Sequence, residues 1–185
     1  MNTEHAYGWV ARILHWGIAI AIVMMFVLGL WMRDLSYYSP YYQIAPEIHK
    51  SVGMVLLALM CARLVWRVCN RQPNHNLQPF QHFVSRLIHF TLYGLIFGMM
   101  LAGYFISTLD GRSIAVFGLI EIPSIVTQKG AEKIVGRIHL VAAYCIIGLA
   151  ALHAAAALYH HFVKRDGVLL SMLRGGRSRS AKNYN

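Results

Sequence analysis

The chain has 185 residues, of which 57% are hydrophobic and 13% charged, with a mean hydropathy of +0.49. This composition excludes an ordinary soluble domain and predicts an integral membrane protein. The net charge of +10 does not predict nucleic-acid binding, because the basic residues follow the ends of apolar segments and do not form one basic surface.

Four apolar segments are each about 20 residues or longer, which is what a bilayer core requires. They cover residues 9–32, 48–66, 84–108 and 136–162. The sequence therefore predicts an all-α fold, a transmembrane four-helix bundle. We expect a single domain over 1–170 and a basic, disordered cytoplasmic tail over 171–185. The first segment is too long for a signal peptide and should be retained.

The distribution of Lys and Arg predicts the orientation. The N-terminus, the 67–86 connection and the C-terminal tail hold most of them, whereas the other two connections mix acidic and basic residues. By the positive-inside rule, both termini are cytoplasmic. We call the predicted cytoplasmic end of the bundle its inner end and the opposite end its outer end.

The first three apolar segments each contain a histidine near one end. His15, in RILHWG, lies roughly 8–9 Å below the inner surface by helical rise. The second helix should begin near Pro46, which places His49 one turn inside the outer surface. Gly53, one turn later, either lets a flat ring lie close to the helix backbone or lets two helices pack closely.

The third segment carries His89 about one turn inside the inner surface, with no partner at its depth. Three interpretations of His89 are open: it lines a quinone pocket, it pairs with a haem propionate, or it forms a hydrogen bond to a neighbouring helix. Gly94, Gly98 and Gly103 predict a small-residue packing stripe on this helix. The preceding 67–82 connection contains two prolines, and we expect its His75 and His82 to be solvated.

The outer connection, residues 109–135, should cap the bundle. Its positive charge would attract an anionic electron donor. The alternative is a solvated rim in which Asp110, Glu121 and Glu132 neutralise the basic residues. The basic residues are Arg112, Lys129, Lys133 and Arg137.

The last apolar segment contains His139 and His153. Their spacing of 14 residues corresponds to roughly 21 Å along a helix and a net rotation of about −40°, so both side chains face one side. His153 matches the depth of His15, and His139 matches that of His49. An imidazole buried without a partner costs several kcal/mol, so these residues are candidates for function.

Two imidazoles from two helices are what a six-coordinate b-type haem requires. The depth matching therefore predicts two haems, one held by His15 and His153 and one by His49 and His139. The alternative is a bundle of hydrogen-bonded core histidines. Candidate propionate partners are Arg12 at the inner end and Lys50 or Arg137 at the outer end, although such residues also anchor helices.

Several motifs resemble the bacterial cytochrome b561 family over nearly the whole chain. They are ILHW in the first helix, EIHKSVG in the second, GRSIAVFGL in the outer connection, and IHLVAAY with GLAALHAAAALYHHF in the fourth. The resemblance implies a diheme multi-pass protein of the bacterial inner membrane, with His15, His49, His139 and His153 as axial ligands. Some members are superoxide oxidases, which pass electrons from periplasmic superoxide to ubiquinone. The resemblance also allows His89 and His160 a quinone-binding or proton-handling role. We expect His161 to point elsewhere, because adjacent residues of a helix differ by 100° in direction.

The leading hypothesis is an oxidoreductase that moves single electrons between a periplasmic donor and membrane ubiquinone. The donor is either a small anion such as superoxide or a protein, and membrane lipid surrounds the bundle. One alternative is the haem-bearing membrane-anchor subunit of a hydrogenase or dehydrogenase. Another is a transporter or structural bundle without haem. The direction of electron flow, the redox potentials, the quinone position and the oligomeric state are open from the sequence.

Overall fold

The computed structural model describes residues 6–71, 73 and 78–174. Four long helices dominate it, and each is long and apolar enough to cross a membrane. They are α1 (Trp9–Arg33), α2 (Ile44–Cys69), α3 (Pro79–Thr108) and α4 (Glu132–Tyr159). The predicted all-α four-helix architecture is confirmed. Four crossings return the chain to the side on which it began.

Three helices begin earlier than their apolar segments, and one of them is α4, which starts at Glu132. Helix α2 starts at Ile44, and α3 starts at Pro79, where a capping box between Gln78 and Gln81 satisfies the first backbone N–H groups. His82 is therefore half-buried in the first turn of α3, and the expectation that it lies in a solvated loop is wrong. His75 lies outside the described residues. Apolarity marks the part of a helix inside the membrane and misses its polar ends.

The fourth helix continues into a short π-helix, His160–Lys164, and the chain then turns back through Arg165, whose φ is 55°. A final helix, α5 (Val168–Leu173), packs against the start of α1. Three donors reach the last carbonyls of α5: the Tyr7 N–H to Ser171 (3.2 Å), the Arg12 guanidinium to Leu173 (3.0 Å) and the Trp16 indole to Met172 (3.2 Å). The predicted boundary at residue 170 falls inside α5, and residues 175–185 lie outside the described part.

The outer connection forms an ordered cap around a two-stranded antiparallel hairpin, β1 (Ile114–Val116) and β2 (Ile120–Ile122). Phe117 and Gly118 both have positive φ in its turn, as hairpin turns of the primed types require. The buried Ser51 hydroxyl of α2 accepts a hydrogen bond from the Phe117 N–H at 3.0 Å. The Tyr104 hydroxyl of α3 donates to the Pro123 carbonyl at 2.7 Å. The sequence did not indicate this hairpin.

The helices pack in chain order, with α2 against α1, α3 against α2 and α4 against α3, while α4 makes little direct backbone approach to α1 or α2. A buried apolar layer includes Ile18, Leu56, Met60, Met100 and Ile146. Ile146 is seven residues from both His139 and His153, so this layer lies midway between the two predicted haem sites.

The small-residue stripe on α3 is only partly a packing surface. A Cβ added at Gly94 or Gly98 would meet nothing within 4 Å, so the packing prediction is wrong for these two positions. Gly103 differs, because a Cβ there would approach the His139 ring.

Candidate functional site

The structure brings the rings of His15 of α1 and His153 of α4 together at the inner end. Their ring centroids are 6.5 Å apart and the rings are inclined by 73°. Both side chains are half-buried, and within the described residues no hydrogen bond joins the two rings. The pair therefore meets across the space between the helices with room for an atom between the rings.

His49 of α2 and His139 of α4 form the corresponding pair at the outer end. Their ring centroids are 6.3 Å apart, at an inclination of 68°. Here too, the described residues include no hydrogen bond between the two rings. The two pairs are thus nearly equal in separation and inclination.

These separations fit an iron ion between each pair of rings. Two metal–nitrogen bonds of about 2.1 Å, plus the distance of about 1.15 Å from each nitrogen to its ring centre, total about 6.5 Å. In the described part of the chain, no three His, Cys, Asp or Glu side chains converge to hold a metal. Each site offers two imidazoles, a set that would suit a metal that brings its other ligands with it, as haem does.

A backbone contact orients one ring of the outer pair. The His139 Nδ1 lies 2.9 Å from the Met99 carbonyl oxygen. Because a carbonyl only accepts, Nδ1 carries the proton, and Nε2 keeps a lone pair for a metal. The His49 Nδ1 is buried and has no hydrogen-bond partner among the described residues. A buried nitrogen without a partner is rare, so this ring has a polar atom that the described residues leave unsatisfied.

Two glycines allow the outer rings to approach neighbouring helices closely. A Cβ at Gly29 of α1 would lie 3.2 Å from the His49 Cε1, and one at Gly103 of α3 would lie 3.1 Å from the His139 Cε1. Both distances are shorter than ordinary carbon–carbon contact, about 3.5–4.0 Å. Sequence analysis missed Gly29 as part of the site and assigned Gly103 only to packing, although both lie at the depth of the outer histidines.

The inner pair has a third imidazole beside it. The His89 ring centroid of α3 is 5.1 Å from that of His153, and the His89 Nδ1 donates to the Ser85 carbonyl at 2.6 Å. His160 lies elsewhere, in the π-helix, where its Nδ1 pairs with the Asp166 carboxylate. The structure thus brings His89 to the inner pair and ties His160 to the start of α5.

Sequence analysis also missed Arg63 of α2. Its guanidinium donates to the His15 Nδ1 at 2.7 Å and lies over the Tyr93 ring, 5.6 Å from the centroid. The available signal was an arginine within an apolar span, in CARLVW.

The candidate propionate partners have different surroundings. Arg12 donates to the Leu173 carbonyl and so joins α1 to α5. Lys50 is half-buried next to His49, and Arg137 is exposed two residues before His139. Their role towards propionates stays a prediction.

Comparison with known proteins identifies the family. The family model described as "Prokaryotic cytochrome b561" matches residues 6–175. "Cytochrome b561 homolog 2" of Escherichia coli is 39% identical over 175 residues, covering 93% of each chain. A Yersinia pestis protein named "Probable superoxide oxidase" is 29% identical over 168 residues, covering 86% of this chain and 91% of its own. "Cytochrome b562" of Cereibacter sphaeroides is 25% identical over 179 residues, covering 94% and 99%.

The family match and the four apolar helices together identify a multi-pass protein of the bacterial inner membrane that carries b-type haem. This overturns the alternative of a transporter or structural bundle without haem. The chain belongs to the prokaryotic cytochrome b561 family.

Proposed function

We propose that this cytochrome carries electrons one at a time from superoxide at the outer face to ubiquinone near the inner face. The observation that supports the proposal is that two pairs of imidazoles meet across the bundle, with about 6.4 Å between the ring centroids of each pair. The pairs are His15 with His153 and His49 with His139. The two imidazoles of each pair would hold a b-type haem, which would supply reversible one-electron transfer.

The chain's own residues define a path along α4. His139 and His153 lie roughly 21 Å apart by helical rise, with the apolar layer around Ile146 between them. This layer excludes water from the middle of the bundle. Electrons can therefore cross between two sites on one helix without a proton following them through the core.

Charge at the outer cap supports an anionic donor. The Arg112 backbone N–H and guanidinium bind Asp110 and hold the pKa of that carboxyl below its usual range. Among the described residues, the ion pairs are this one and His160–Asp166. Three further cations of the outer end thus have no carboxylate partner in the described structure: Lys129, Lys133 and Arg137. A small anion such as superoxide would be attracted to them.

An open cleft between α1 and α5 supports ubiquinone at the inner end. Its volume is about 390 Å³, which is the size expected of a small-molecule site. The cleft is lined by Trp9, Arg12, Ile13, Trp16, Met172 and Leu173. The Trp16 ring centroid lies 5.3 Å from that of His15, so a quinone there would be one aromatic ring away from the inner pair.

Protons for the quinone can come from the inner histidines. Two superoxide ions release two O₂ molecules and two electrons, and one ubiquinone takes up these electrons with two protons. His160, held by Asp166, and His89, beside His153, are imidazoles on this side of the bundle. Imidazole titrates near neutrality and is suited to proton transfer.

Stopped-flow mixing tests the proposal. Purified protein in detergent with ubiquinone should show haem reduction by superoxide and then ubiquinol formation at two superoxide ions per quinol. His49→Ala should abolish reduction from the outer side. Absence of haem reduction by superoxide in the native protein would refute the superoxide assignment, and co-purification of a required protein donor would favour the membrane-anchor alternative.

Substitution in the cleft tests the quinone position. Ile13→Trp should slow ubiquinol formation and leave haem reduction by superoxide unchanged, because Ile13 is 62% exposed and lines the cleft. The matched control is Ile20→Trp, on the same helix and 56% exposed but outside the cleft. Equal rates of ubiquinol formation in the two variants would place the quinone elsewhere.

A further inference from the structure

Two arginines of α2 distinguish the inner site from the outer one. Arg63 lies 2.7 Å from the His15 Nδ1, and Arg67, one turn later, lies over the same Tyr93 ring at 5.5 Å from the centroid. A half-buried arginine in a membrane span raises the free energy of the folded protein. Its position beside a candidate haem ligand therefore indicates a functional role.

Among the described residues, no arginine or lysine is hydrogen-bonded to either ring of the outer pair. The His49 Nδ1 has no hydrogen-bond partner in the described part of the chain, and the His139 Nδ1 lies against the Met99 carbonyl oxygen. The same asymmetry runs through the sequence. Eleven of the 17 basic residues and two of the seven acidic ones belong to the inner end, a net charge of +9, against +1 at the outer end.

We propose that Arg63, aided by Arg67, makes the inner haem site the one of higher redox potential, so that electrons run from the outer site to the inner one. The proposal rests on the function proposed above. In this step one electron leaves the outer site and arrives at the inner one; no bond forms or breaks. The added negative charge is stabilised by a cation a few ångströms away, and the low dielectric of the bundle strengthens that effect.

The contact with Tyr93 keeps this charge in place. A neutral imidazole bound to iron through Nε2 carries its proton at Nδ1, where it offers Arg63 no acceptor. The guanidinium also rests on the Tyr93 ring, an attraction that does not depend on the protonation of His15. The Arg63 guanidinium therefore stays beside the inner site whichever ring nitrogen of His15 carries the proton.

Redox titration of the purified holoprotein, followed by haem absorbance, tests the proposal. Titration of His49→Ala identifies the potential of the inner haem. In the native protein this haem should have the higher potential. In Arg63→Gln, the ratio of reduced to oxidised inner haem at a fixed ambient potential should fall by on the order of tenfold, with the outer haem unchanged. Arg63→Lys should recover part of the shift, because it keeps the charge.

The control variant is Arg86→Gln, which removes an exposed arginine from the inner end of α3. It should leave both potentials unchanged. Bound haem with an unshifted inner potential in Arg63→Gln, or an inner haem of lower potential in the native protein, would overturn the inference while leaving the proposed function standing. If Arg63→Gln loses haem, Arg67→Gln decides, since a lowered inner potential supports the inference and an unchanged one overturns it. A native protein without an inner haem would overturn the proposed function itself.

Discussion

Gly103→Ala should disturb the outer site through a contact that the structure defines. The added Cβ would lie 3.1 Å from Cε1 and 3.4 Å from Nδ1 of His139, so the ring must move by a few tenths of an ångström. That movement strains the 2.9 Å hydrogen bond from Nδ1 to the Met99 carbonyl. Overpacking of this kind costs about 1–3 kcal/mol, against which alanine gains about 1 kcal/mol of helix propensity. We expect a net destabilisation of about 0–2 kcal/mol.

Gly94→Ala is the matched control, because it lies on the opposite side of the same helix and its Cβ would meet nothing within 4 Å. It should keep the propensity gain alone, which leaves the two variants about 1–3 kcal/mol apart. The assays are thermal unfolding in detergent and low-temperature electron paramagnetic resonance of the outer haem, whose signal should shift only in Gly103→Ala. Equal stabilities and identical spectra for the two variants would refute the close contact between α3 and His139.

Three further predictions concern the sites and the cap. His15→Ala should remove the inner haem and leave the outer one, and His49→Ala should do the reverse, as measured by haem content per chain; loss of the other haem would contradict the pairing. Ser51→Ala should loosen the outer hairpin by about 1 kcal/mol, since the Phe117 N–H loses its acceptor, and hydrogen exchange at that amide should accelerate. Tyr104→Phe should release the 2.7 Å bond to the Pro123 carbonyl and lower thermal stability by a similar amount, and an unchanged melting temperature would rule out this bond as a support of the cap.

The sequence was sufficient to predict which histidines meet, because helical rise and topology fix the depth of each one. The rings of His15 and His153, and those of His49 and His139, lie together at matched depths although they come from different helices. Depth follows from counting residues along a helix, so it needs no knowledge of packing.

The sequence was not sufficient to predict which neighbours turn towards those histidines. The contact from Arg63 to His15 depends on how α2 is rotated against α1, and the approach of Gly29 to His49 depends on the distance between the same helices. Tertiary packing sets both quantities. The hairpin of the cap and the return of α5 to α1 were missed for a related reason, since each is held by long-range hydrogen bonds such as that of Trp16 to Met172.

Haem stoichiometry and spin state in the purified protein test the central claim most directly. Imidazoles opposed at 6.5 Å and 6.3 Å predict two b-type haems per chain, both low-spin, with one lost on substitution of either member of a pair. A protein that binds a single haem, or haems that are high-spin with an open axial position, would contradict the two histidine pairs as the path for electrons.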